Sequence, residues 1–280
     1  LLDSAPLRSD AFRTQQRNRS VILTADAETA RHNRRETPRG WSTPFIGANR
    51  YTIRPGDPIP GADALHPVAF LVERGPGGIT KPHFHQADQY QVVVSGYGKL
   101  GPHDTGSVAV HYTDAYSAYG PIVGAEEGIA WFTLRNCWDP GAKYMADLDS
   151  RAELRASRDR HTHWETTTDP EPALAEDALR ATTAIDCRQV LEGEHGLATW
   201  RYRLPPGAAL AGPDPAASGG QFWLVLGGTL SATGSAFLGV NSTIFIGPAD
   251  GPLAAAAGPG GAEALCLQFR IPFAARCKSA

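Results

Sequence analysis

From Trp41 onward the apolar residues come in short runs. TPFIGANRYTI, PVAFLVERG, QYQVVVSGYG, SVAVHYTDAY and IAWFTLRN are rich in β-branched and aromatic residues, and Gly, Pro or Asp separates them. A spacing of roughly 8–12 residues from run to run predicts an all-β sandwich or barrel. QYQVVV mixes alternation with a continuous apolar centre, the pattern of a strand covered on both faces. Residues 1–40 lack this texture and hold eight arginines and five acids. They read as an arm that wraps its own lobe or a neighbouring subunit, or as a loosely ordered tail, with a short helix over residues 20–31. The arginines at Arg31, Arg34, Arg35 and Arg39 read as a solvated or salt-bridged face. Residues 149–181 are charged, partly helical and then Pro-containing, and read as an interlobe connection. Strands resume at about Thr182.

The second half repeats the first in its punctuation. Arg74-Gly75-Pro76-Gly77 matches Leu204-Pro205-Pro206-Gly207, and the run from Gln89 matches the run from Gln221. Gly120-Pro121-Ile122 matches Gly251-Pro252-Leu253, and residues 131–135 match 266–270. Four ordered matches at offsets of 130, 132, 131 and 135 residues imply duplication of one β module of about 100 residues.

Composition changes this picture little. The 280 residues carry 42% hydrophobic and 20% charged side chains, enough for one or two cores, and 30 Gly and 22 Pro fit many tight turns. A net charge of −3 gives no ground for nucleic acid or an anionic membrane as partner. No apolar run approaches the roughly 20 residues that span a bilayer, and no signal peptide is visible. Cys137, Cys187, Cys266 and Cys277 form no Cys-x-x-Cys pair and read as reduced thiols of a cytoplasmic protein.

The candidate chemistry lies in residues 77–98, GGITKPHFHQADQYQVVVSGYG. Residues two apart on a strand share a face, so His83 and His85 can aim two imidazoles at one point. Asp88 alternates away from Gln89 and reads as surface. His161-Thr162-His163 lacks a Gly frame and reads as a solvated loop. His111 follows Val-Ala-Val and reads as a hydrogen-bonded strand residue or a proton shuttle. Tyr116 and Tyr119 read as barrel-mouth packing or as catalysts. Phe70, Phe84, Tyr90, Trp131 and Phe132 suit an apolar pocket or an ordinary barrel core.

Gly77, five residues, His83-x-His85, three residues, Gln89, six residues and Gly96 reproduce the spacing of the first cupin motif. The first lobe resembles a cupin on these residues, with Gln89 where the family has Glu. The whole chain resembles a bicupin. The third histidine of the family falls near Ile122 or Val123 and is absent. In the second lobe the positions of the His pair fall within residues 212–217, leaving Gln221 alone.

The resemblance implies two double-stranded β-helix (jelly-roll) barrels: an N-terminal arm over 1–40, a site-bearing lobe over 41–148, a connection over 149–181 and a lobe over 182–280. It implies one divalent transition metal (Fe, Mn, Ni or Zn) on His83, His85 and Gln89, with His111, Tyr116 or Tyr119 as a further ligand or proton carrier. The activity implied is a dioxygenase-like oxidation of a small aromatic or carboxylated molecule, or lyase or isomerase chemistry. The alternative is a metal-free cupin that binds a small metabolite or transfers protons with His83, His85 and Tyr119. A homodimer is a mild expectation.

Overall fold

The short apolar runs supply strands of an all-β fold. The computed structural model describes residues 22–50, 52–61, 64–157, 164–232 and 235–276. Its strands run β1 (Ile22–Ala25), β2 (Arg35–Thr37), β3 (Gly40–Ile46), β4 (Leu65–Arg74), β5 (Ile79–Thr80), β6 (His83–Phe84), β7 (Gln89–Leu100), β8 (His103–Gly106) and β9 (Val110–Thr113). They continue as β10 (Ile122–Cys137), β11 (Lys143–Tyr144), β12 (Glu165–Thr167), β13 (Asp186–Glu192), β14 (Ala198–Leu204), β15 (Ala209–Ala211), β16 (Gln221–Ala232), β17 (Thr243–Ile246) and β18 (Ala254–Gln268). Helices are short: α1 (Ala27–Arg31), α2 (Leu148–Ala156), α3 (Glu176–Arg180) and α4 (Phe273–Arg276). No helix among the described residues is long and apolar enough to cross a membrane. Among the described residues Cys137, Cys187 and Cys266 form no disulfide. Cys277, His161 and His163 lie outside the described residues.

Two antiparallel sheets hold most of the strands. One is ordered β12-β9-β7-β10-β4-β3-β2, the other β1-β17-β16-β18-β14-β13. From β9 and β17 onward the two orders correspond strand for strand, as the sequence repeat implies. The ladders adjust one match. Tyr90 pairs with Leu134 and Gln91 with Thr133. Phe222 pairs with Leu267, Trp223 with Cys266 and Gln221 with Gln268. Arg135 therefore stands beside Gln89 as Gln268 stands beside Gln221, and the match of 131–135 with 266–270 slips by two residues. The ladders' register shifts, such as that between Ala130 and Trp131, change the residue count along each strand.

The arm behaves differently from expectation. Residues 22–25, expected as helix, form β1 on β17 of the second half's sheet. The helix is confined to α1, capped where the Asp26 side chain accepts from the Thr29 amide at 2.8 Å. In return, β12 from the connection pairs with β9 of the first half's sheet.

Alternation sorts the core. Tyr90, Val92, Phe132 and Leu134 pack in one cluster with Phe222, Leu224, Leu267 and Phe269 of the other half. Each such fully buried side chain contributes roughly 1.5–3 kcal/mol. The intervening residues, Gln89 and Gln91 or Gln221 and Trp223, face the interior of their own half. Polar contacts also cross between the halves. The Tyr90 hydroxyl lies 3.0 Å from the Gln268 carbonyl oxygen. Asp88 faces away from Gln89, but that face is not open surface. Arg270 reaches Asp88 at 2.9 Å and Asp114 at 3.1 Å, and all three are largely buried.

Removing one partner of a buried ion network strands the others and costs about 3–5 kcal/mol. Urea unfolding of Arg270→Met should show a loss of that order. A loss below about 1 kcal/mol, the scale of an exposed pair, would show that Arg270 does not tie the halves together.

Candidate functional site

The His-x-His segment is clamped on both sides. The His83 amide donates to the Tyr119 carbonyl at 3.1 Å, Tyr119 returns a bond at 3.0 Å, and the Tyr116 amide donates to the His85 carbonyl at 2.7 Å. On its other edge β6 pairs with β11. Gly96, the last residue of the motif frame, has φ +74° and lies so near the Gly128 carbonyl that a Cβ would meet it at 2.2 Å. That close approach lets β7 and β10 draw together beneath the site.

Both imidazoles are buried and anchored through Nδ1. His83 Nδ1 lies 2.7 Å from the Lys81 carbonyl oxygen and His85 Nδ1 lies 2.8 Å from Asp139 Oδ2. Each Nδ1 therefore carries the proton, and each Nε2 keeps its lone pair. Burial, then the neighbouring His85, pushes His83 down to about 3. Burial and the Arg135 charge lower His85 as well. Burial alone would raise Asp139, but His85 and Arg135, with hydrogen bonds including the Gln86 amide, hold it well below the usual carboxylate range. At neutral pH the site therefore holds two neutral histidines and one carboxylate.

Gln89 sits at the centre. Its Nε2 donates to the Tyr119 hydroxyl at 2.6 Å, and its Oε1 accepts from Arg135 Nε at 2.9 Å and also from Arg135 Nη2. Arg135 Nη2 is 3.1 Å from His85 Nε2, and Nη1 is 3.2 Å from Asp139 Oδ2. Burial raises the Tyr119 hydroxyl well above its ordinary value, so it stays protonated.

His83, His85, Gln89 and Tyr119 are thus brought together. His111 is close behind, with its ring 5.1 Å from that of Tyr119 and its Nδ1 3.0 Å from Thr167 Oγ1. Tyr116 is not part of the cluster. It packs against Phe84, which alternates away from the histidines. Phe70 and Trp131 line the cavity, whereas Tyr90 and Phe132 belong to the shared core. Ile122, where the family's third histidine would fall, also lines the cavity. Arg135 and Asp139 were not singled out from the sequence. The signal available for Arg135 was the polar alternation Thr133, Arg135 within the apolar run of β10.

This donor set does not fit a divalent metal as it is folded. The lone pairs that would bind one are His83 Nε2, His85 Nε2 and Gln89 Oε1. The last is taken by a guanidinium that also lies against His85. Two unit charges about 4 Å apart repel by about 4 kcal/mol in a partly screened site, and a dication doubles this. Among the described residues no three His, Cys, Asp or Glu side chains converge as metal ligands.

No family model and no curated protein matches the sequence. Solved structures do match the fold. Oxalate decarboxylase from Bacillus subtilis, described with Mn(II) centres, is 10% identical with a TM-score of 0.55, covering 96% of this chain and 85% of that one. Pirin YhhW from Escherichia coli, in complex with nickel(II), is 11% identical with a TM-score of 0.54, covering 90% and 100%. A candidate dioxygenase from Nostoc punctiforme is 12% identical with a TM-score of 0.53, covering 89% and 82%. The chain shares its fold with these three proteins. At these identities the likeness is one of fold alone.

The cavity over the site measures about 140 Å³. Arg39, Arg50, Arg74 and Arg135 line it, with Asp139 the one carboxylate of the lining. Its walls hold buried polar atoms with no partner, Gln91 Oε1 and Trp131 Nε1, and His111 Nε2 and Thr113 Oγ1 lie unpartnered on the strand beside them. The interior of the second half is filled differently. There Gln221 Nε2 donates to Gln268 Oε1 at 2.8 Å and to the Pro213 carbonyl at 3.0 Å. Trp223, in the place of Gln91, fills the interior together with Val225, Ile244 and Ile246.

Burial holds His111 at about 3 against an ordinary value of 6.5. Between those values an unfolded chain binds a proton that the folded chain refuses, so stability rises with pH across the window and falls as pH drops through it. His111→Phe removes this titration. Calorimetric Tm should then fall less steeply with acid than in the parent protein; equal slopes would show that His111 is not held neutral.

Proposed function

We propose that the chain is a bicupin of two double-stranded β-helix lobes, residues 41–148 and 182–280, derived from one module. The first lobe is a metal-free acid–base enzyme acting on a small organic molecule, and the second is its structural partner. The observation that carries this reading is Arg135, whose guanidinium takes up Gln89 Oε1 and lies against His85. A fixed cation then stands where a metal would be needed, and it can steady negative charge that develops on a substrate oxygen. Tyr119, held protonated, is placed to give a proton. His83, neutral with Nε2 unprotonated, is placed to take one. Together they suit isomerase or lyase chemistry at a carbon next to a carbonyl.

One observation favours a second reading, in which His83 and His85 hold a divalent metal and the protein is an oxygenase. Nδ1 anchoring by a carbonyl and a carboxylate is how metal-bound histidines are oriented. The Mn(II) and nickel(II) of the fold neighbours point the same way. It requires Arg135 to swing away from both donors.

Solvent-deuterium incorporation into a panel of small hydroxyketones and keto acids separates the two. Chelated, tag-free protein should catalyse exchange, and Tyr119→Phe should lose about a hundredfold or more, the usual weight of a general acid. Exchange that vanishes on chelation and returns with added metal would support the second reading. Exchange indifferent to Tyr119→Phe would contradict the first.

A further inference from the structure

The cavity's lining carries a charge imbalance that the acid–base cluster does not use. Arg39 and Arg74 both line it. Among the described residues neither is in an ion pair, although other arginines nearby are. Glu73, beside Arg74 in sequence, goes instead to Arg34 at 2.8 Å. The two guanidinium groups are held over aromatic rings, Arg39 4.8 Å from the centroid of Tyr144 and Arg74 5.5 Å from that of Trp131. Arg39 also donates to the Tyr144 hydroxyl. Arg74 makes two long contacts, to Thr80 Oγ1 at 3.4 Å and to the Glu73 carbonyl at 3.2 Å. Burial, followed by the charge of Arg39, lowers the pKa of Arg74, so the two cations repel across the mouth. An anion between them would relieve both costs, and guanidinium forks match a carboxylate in geometry.

A second observation lies deeper. Gln91 Oε1 is a buried acceptor and Trp131 Nε1 a buried donor, each without a partner, on side chains that are 3% exposed and line the same cavity. An unmet buried polar atom is costly. A hydroxyl group both donates and accepts, so it suits either atom. The volume of about 140 Å³ is small beside the roughly 300–1,000 Å³ of ordinary ligand pockets, so the ligand is compact.

We infer that the cavity binds a compact hydroxylated carboxylic acid, its carboxylate held at the mouth by Arg39 and Arg74 and its hydroxyl held inside by Gln91 and Trp131. This rests on the first lobe being the active one. It names the ligand class of that site and does not depend on how the site transforms the ligand.

Calorimetric titration tests it without any turnover. The probes are lactate, malate and tartrate, set against succinate, which lacks the hydroxyl, and lactamide, which lacks the charge. The hydroxy acids should bind and raise Tm, succinate should bind more weakly, and lactamide should not bind. Arg74→Gln should weaken malate by about tenfold or more, as expected for hydrogen bonds to a charged group, and Arg74→Lys by less. Gln91→Leu should bring malate down to the level of succinate. Lactamide binding as tightly as lactate, malate binding unchanged in Arg74→Gln, or no acid binding at concentrations on the order of 10 mM would each overturn the assignment. Because the readout is binding, it can fail while Tyr119-dependent exchange stands, and the reverse also holds.

Discussion

The contact between Arg135 and Gln89 is the constraint on which the site depends. A buried guanidinium needs acceptors on all its edges, and this one finds Gln89 Oε1 and Asp139. Those partners are then committed. Gln89 turns its amide nitrogen to Tyr119, Asp139 holds His85 by Nδ1, and Tyr119 bonds through its backbone to His83. One cation thus orders the side chains of the site. The arrangement does not depend on loading with an ion.

The two halves show how little has to change for a shared strand order to host a site or lose one. Outward-facing residues are alike, Tyr90 and Val92 against Phe222 and Leu224, because they build the same core between the sheets. Inward-facing residues diverge. Gln91 becomes Trp223 and Arg135 becomes Gln268. In one interior Gln91 Oε1 and Trp131 Nε1 go without partners and a cavity remains. In the other a Gln–Gln hydrogen bond closes the polar row, and tryptophan and aliphatic side chains fill the rest. Packing stabilises the second half, whereas the first keeps open space and unmet polar groups, as binding sites do.

What the sequence made legible follows from short range. Alternation over two residues places His83 and His85 on one face, and a fixed spacing brings in Gln89. That the two halves share one module was implied by the repeat. Longer-range facts were not legible. Arg135 is 46 residues from Gln89, and their meeting depends on the β7–β10 register across a bulge. Asp139 reaches His85 over 54 residues for the same kind of reason. Alternation says which face Asp88 takes, but not that Arg270 of the other half covers it. Residues 22–25 were misjudged because local helix propensity yields when a sheet edge is free for pairing.

The account stands or falls on whether Arg135 takes the place of a metal. Manganese(II) titrated into tag-free, chelator-treated protein reports this through the paramagnetic resonance of the free aquo ion. The account predicts that the parent protein leaves that signal at full strength, and that Arg135→Ala, which frees Gln89 Oε1 and removes the charge beside His85, quenches it. Stoichiometric quenching by the parent protein, lost in a His83→Ala/His85→Ala variant, would contradict it.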